Sequence, residues 1–205
     1  MATAINTADL WLVRKRDGLE IDLSALQGQW TVEQYLKVSG RTRHLVELTD
    51  GELEVLVMPT RNHQLIVLFL YNLLRTIVGS AGGIVLVAPM RLEIQAGKFR
   101  EPDILLLTDA NDPRNQNRFW LGADLVMEIV SDDDLERDTV VKVADYAEAG
   151  IPEYWIVNPL DETITVLTLA DTQYRTYGLF KRGDTASSRL LEGFSVQVAA
   201  VFDAR

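Results

Sequence analysis

The sequence predicts a mixed α and β fold, α/β in its centre and α+β at its margins, and three observations carry that reading. The first is a strand-helix-strand succession. An apolar run at 125–130 is followed by a helical pattern at 137–149 that Gly150 closes, and then by a second apolar run at 153–157. That order makes a βαβ unit with a right-handed crossover and a parallel strand pair. The second observation is two alternating segments folded about turn residues. One spans 44–58 around Asp50 and Gly51, the other 162–180 around Asp171, and both read as antiparallel hairpins. The third is the stretch from Thr60 to Val78, whose apolar residues at 65, 66, 69, 70, 73, 74 and 77 recur at helical spacing until Gly79. This predicts a buried helix.

Taken in order, residues 1–28 form an N-terminal extension in which LWLVRKRDGLEIDL gives a strand, a turn at Asp17 and Gly18, and a second strand. Residues 29–205 are expected to be a single domain. Thr31 with Gln34 three positions on is a helix-start pattern, so a short helix runs through Val38 to Gly40. In the 44–58 hairpin an Asp-Gly turn pairs Thr49 with Glu52 and Glu47 with Glu54. Glu47, Thr49, Glu52 and Glu54 then share one face, where like charges across strands repel. Either that face is solvated or one acid turns towards a cation. Residues 83–94 read as a strand interrupted by Pro89, and Gly97 and Lys98 turn the chain towards Asp103. The Asp-, Asn- and Pro-rich stretch TDANDPRNQNRFWLGA is a loop that Phe119 and Trp120 tuck back onto the body. The tail from Gly183 to Val201 ends the sheet or covers an edge.

Composition narrows the chemistry. The chain has 205 residues, 47% hydrophobic and 24% charged, with no apolar stretch long enough to span a membrane. Leu10–Val13 is too short for a signal core and runs into Arg14, Lys15 and Arg16, so a cytoplasmic location is expected. The absence of cysteine excludes disulfides, thiolate zinc sites and cysteine nucleophiles, and two histidines argue against a histidine cage. Any metal is therefore expected on oxygen. The net charge of −10 argues against a general nucleic-acid coat.

Two acids stand where acids are costly. Asp103 opens the apolar run Ile104–Leu107, and Glu128 lies inside the run that ends at Val130. A buried carboxylate needs a partner or a cation. Mg²⁺ or Mn²⁺ accepts two carboxylates and a main-chain carbonyl, and Asp103, Glu128 and the carbonyl of Ile129 meet that need. Lys142, on the following helix, is the candidate ammonium that orients water or steadies developing charge. Its alternative is a surface pair with Asp138, one turn earlier. On a helical wheel Val140, Val143, Ala144 and Ala147 form the apolar stripe, whereas Asp138, Lys142 and Tyr146 lie on another face. Lys142 thus reaches the acids only if the helix overhangs the strand ends.

These residues carry a resemblance. EPD at 101–103, EIVS at 128–131, the Asp138 to Lys142 spacing and YAEAGIPEYWIVNP at 146–159 resemble the Uma-type restriction endonuclease family, a bacterial branch of the PD-(D/E)XK nuclease superfamily. VEQYL near 32, ELTDGELEVL at 47–56 and His63 extend it over nearly the whole chain after Thr31. The resemblance implies a restriction-endonuclease-like mixed sheet flanked by helices, with additional antiparallel strands. It also implies metal ligation by Asp103 and Glu128, a catalytic Lys142 displaced onto the helix, and a further acid at Glu52, with Glu47 as the second choice. The implied function is a Mg²⁺- or Mn²⁺-dependent endonuclease acting on nucleic acid, DNA foremost. Basic residues Arg91, Lys98, Arg100, Arg114 and Arg118 flank Asp103 and are the expected phosphate contacts. The run DDDLERD after Ser131 departs from the family pattern and would repel a phosphate backbone. The alternative is an inactive descendant serving protein interaction or self-association, with a homodimer as its simplest form and no membrane partner.

Overall fold

The computed structural model describes residues 10–131 and 135–205. The acidic triplet Asp132, Asp133 and Asp134, on which the expected phosphate repulsion rests, lies outside them, as do residues 1–9 of the extension. In chain order the elements are β1 (Trp11–Val13), β2 (Glu20–Asp22), α1 (Val32–Ser39), β3 (Val46–Thr49), β4 (Glu52–Val55), α2 (Arg61–Ser80) and β5 (Ile84–Val87). There follow β6 (Leu92–Gln95), β7 (Lys98–Arg100), β8 (Ile104–Leu107), β9 (Leu125–Ile129), a π-helical segment (Arg137–Val141) and α3 (Lys142–Glu148). The chain ends with β10 (Glu153–Asn158), β11 (Thr163–Ala170), β12 (Gln173–Lys181), β13 (Thr185–Ser187), β14 (Ser195–Gln197) and α4 (Val198–Phe202).

Two compact units share the chain, one of residues 1–58 and 95–101, the other of residues 59–94 and 102–205. In the first, the 44–58 hairpin has the register that its turn residues dictate: Glu47 lies opposite Glu54 and Thr49 opposite Glu52. Asp50 and Gly51 both adopt positive φ, as that turn requires. Gly51 is needed for space as well, because a Cβ there would stand 2.6 Å from the carbonyl oxygen of Gly28. Thr31 and Gln34 form a reciprocal capping box at the start of α1. Tyr35 of α1 packs its ring 5.0 Å from Phe99 of β7, which pairs with Leu48 of β3. The acidic face is not simply solvated. Glu47 is fully buried, accepts the Glu101 N–H at 2.9 Å and lies 3.5 Å from the Arg100 guanidinium.

The second unit is built on a sheet of order β12-β11-β10-β9-β8-β5. β9 and β10 run parallel, and the other neighbours are antiparallel. Both faces of the central strands are covered, which is why ILLL and LVMEI read as continuous rather than alternating runs. Ile66, Leu70 and Leu74 of α2 pack over Ile104, Leu106, Leu125, Met127 and Ile129. Leu105, Leu107, Val126 and Val130 point the other way and meet Trp120, Tyr146 and Tyr154. Trp120 therefore ties its loop to the body: it is fully buried and bridges to Leu92. The tail forms its own small sheet, β13 with β14, while Phe194, Val198 and Val201 join the α2-side core.

The helix after β9 departs from the sequence wheel. Lys142 is 5% exposed and Tyr146 0%, while Val140, on the expected apolar stripe, is 58% exposed. The polar face is the inner one. The π-helical turn widens the first turn of this element, and ion pairs and hydrogen bonds replace apolar contact as the reason for burial.

Candidate active site

β8 and β9 are antiparallel neighbours with Ile104 opposite Met127, a register that puts Asp103 at the β8 end level with Glu128. Alternation along β9 sends Leu125, Met127 and Ile129 to the α2 side and Glu128 to the α3 side. The Asp103 N–H approaches Glu128 Oε2 at 3.4 Å, and the Ile129 N–H donates to Asp103 Oδ2 at 2.8 Å. Each acid is thus fixed by the backbone of the strand that carries the other.

Lys142 joins them from α3. Its Nζ lies 2.9 Å from Glu128 Oε1 and 2.9 Å from Asp138 Oδ1. Lys142 thus meets Glu128 and Asp138 at once, and its pair with Asp138 is buried rather than on the surface. Tyr146, one turn on, donates its hydroxyl to Glu128 Oε1 at 2.5 Å. Tyr154, stacked edge-on at 5.0 Å, donates to the Asp138 carbonyl at 2.8 Å and so holds the π-helical turn against the sheet. From α2, His63 Nε2 reaches Asp103 Oδ2 at 3.0 Å. Glu52 has a different setting: it lies in the first unit, exposed, at the turn end of β4.

Burial dominates the electrostatics. It pushes the Glu128 carboxyl up to about 7, the Lys142 ammonium acting against it and the charges of Asp103 and Asp138 adding to it. Asp138 is raised for the same first reason, with Lys142 again opposing. For His63 burial acts to lower the value, but the bond to Asp103 and the charges of Asp103, Glu128 and Asp138 outweigh it and raise the imidazole above its usual range.

The donor set fits a hard cation. Oδ1 of Asp103 accepts no hydrogen bond from the described residues, and Oε2 of Glu128 has only the long contact to the Asp103 N–H. Two carboxylate oxygens on facing strand positions are what Mg²⁺ takes from a protein when water completes its shell. Among the described residues no three His, Cys, Asp or Glu side chains converge as ready-made ligands. Ile129 contributes its N–H to Asp103.

Comparisons with known proteins bear on the family and the fold. A family model described as "Putative restriction endonuclease", Uma2, matches residues 32–199. The chain belongs to the Uma2 family. Among solved structures, one described as a putative nuclease belonging to DUF820, from Anabaena variabilis ATCC 29413, superposes with a TM-score of 0.71 at 18% identity, covering 84% of this chain and 97% of that one. This establishes the mixed α and β fold. No curated protein matches the sequence. Among the described residues no helix is long and apolar enough to cross a membrane.

Asp138 and His63 are two residues of this cluster that the sequence marks less clearly. Asp138 has a sequence signal in its four-residue spacing to Lys142, whereas His63 lies forty positions from the acid it touches and is marked by its place in the first turn of α2 and by the family resemblance. Two of the expected phosphate contacts have other work. Arg100 is buried beside Glu47, and Arg114 is clasped by Asp112 and Asp124, at 2.7 Å each.

Proposed function

We propose that this Uma2 chain is a Mg²⁺- or Mn²⁺-dependent nuclease that hydrolyses phosphodiester bonds, with DNA as its substrate. The observation that carries the reading is the level pairing of Asp103 and Glu128 on neighbouring strands with the Lys142 ammonium 2.9 Å from Glu128. Membership of a family of restriction endonucleases supports the same reaction class.

Hydrolysis joins a water oxygen to phosphorus as the bond to the leaving nucleotide oxygen breaks. A bound divalent cation supplies Lewis-acid polarisation of the phosphoryl oxygen and acidifies water. Asp103, through Oδ1, and Glu128, through Oε2, are the groups to hold it. Lys142 sits close enough to Glu128 to orient the attacking water and to steady negative charge developing on the phosphoryl group. Asp138 and Tyr146 restrain the ammonium and the Glu128 carboxyl in turn.

The test is incubation of the purified protein with single- and double-stranded DNA and with RNA at low salt, in Mg²⁺, Mn²⁺ or EDTA, beside Lys142→Ala. The expected result is cleavage of DNA that requires metal and is lost in the variant. Cleavage equal in both proteins identifies a contaminant, and no cleavage under any condition supports the interaction-module alternative. Because the protein carries a net charge of −10 and Arg100 and Arg114 are engaged internally, DNA binding should be weak and should fall further as salt rises, measured by fluorescence anisotropy across a salt series.

A further inference from the structure

We propose that His63 is the positioning residue of the site, and that its N–H fixes which oxygen of Asp103 faces the cation. The inference rests on the metal-site reading above and adds to it a part for a residue that acts through Asp103.

A carboxylate only accepts, so the 3.0 Å contact between His63 Nε2 and Asp103 Oδ2 places the proton on Nε2. Oδ2 receives the Ile129 N–H at 2.8 Å as well. Among the described residues two donors reach Oδ2 and none reaches Oδ1, so the carboxylate is held with one oxygen occupied and the other open. One donor alone would leave the group free to rotate about its Cβ–Cγ bond and exchange the two oxygens. The ring is itself held at its root: Thr60, the N-cap of α2, accepts the His63 N–H at 3.2 Å. Among the described residues Nδ1 is buried with no hydrogen-bond partner, and the imidazole's hydrogen bond is the one to Asp103. Loss of such an outer contact to a metal-ligating group typically weakens metal binding about 10–100-fold.

The test is calorimetric titration of the metal-free protein with Mn²⁺, comparing wild type with His63→Ala, His63→Leu and His63→Gln, with melting curves in EDTA to establish that each variant is folded. Ala removes the donor and its bulk, Leu removes the donor and keeps bulk, and Gln offers an amide N–H in place of Nε2. The expected result is affinity reduced about tenfold or more in Ala and Leu and largely recovered in Gln. Wild-type affinity in the folded Ala or Leu variant overturns the proposal, as does a Gln variant as weak as the others. A wild-type protein that binds no Mn²⁺ overturns the metal-site reading together with it.

Discussion

Glu128 and Glu153 are two buried glutamates on adjacent parallel strands of one sheet, and they are handled in opposite ways. Glu153 sits at the start of β10 with both oxygens saturated. Oε1 accepts from the Trp155 indole at 2.7 Å and the Ser188 hydroxyl at 2.6 Å, and Oε2 accepts the Arg189 and Leu190 N–H groups, each at 2.8 Å. It ties the tail to the sheet through neutral donors. Glu128 crowds a cation and a phenol onto Oε1, leaves Oε2 nearly open, and shares its surroundings with two more acids. A buried acid that serves the fold is closed off by donors from its own chain. Glu128, the acid proposed to hold a cation, is left incomplete, and the incompleteness costs stability that a ligand would restore.

The sharpest test of that contrast is the same substitution at both sites. In Glu153→Gln the amide NH₂ must face either two backbone N–H groups or an indole N–H, so the cradle loses acceptors that nothing replaces. A destabilisation of roughly 3 kcal/mol or more is expected in urea unfolding, independent of metal. A loss below about 1 kcal/mol would place the tail's anchorage elsewhere.

Glu128→Gln should act the other way in EDTA. Burial raises the folded-state value of this carboxyl to about 7, so the stabilising contribution of its protonated form is complete below its unfolded value and is lost as pH rises through about 7. Asp138, raised likewise, adds in the same direction. The metal-free wild type should therefore melt at progressively lower temperature between pH 5 and 8. The variant should show a shallower slope and a higher melting temperature at pH 8, together with weaker Mn²⁺ binding in calorimetry. Parallel slopes in the two proteins would mean that the charge on Glu128 is already balanced without metal.

The smallest expected effect comes from trimming one hydroxyl from each acid. Tyr146→Phe and Ser188→Ala each remove one donor to a buried carboxylate, a loss of about 1.5–3 kcal/mol per bond. Ser188→Ala should cost the more, since that hydroxyl also accepts the Leu191 N–H at 2.8 Å, yet only Tyr146→Phe should steepen the dependence of melting temperature on pH, because its donated O–H favours the charged form of Glu128. Identical pH profiles would erase the distinction between the two glutamates.

The sequence by itself determined what is local. The Asp50-Gly51 turn fixed the register of β3 on β4, Thr31 and Gln34 fixed the start of α1, and the 3.6-residue period from Leu65 onward fixed α2. In each case the deciding forces act within a few residues, through φ preferences, capping and periodic burial. Asp103 and Glu128 were legible for a related reason: an acid inside an apolar run contradicts its surroundings. Tertiary structure alone decided the direction of Lys142, because the helical wheel weighs hydrophobicity, whereas two carboxylates and a π-helical turn made burial of the polar face the more favourable arrangement. It alone brought His63 to Asp103, joined Glu47 to Arg100 and closed the cradle around Glu153. Those contacts join residues about 35 to 55 positions apart, and their geometry follows from how strands and helices meet, which no local preference encodes.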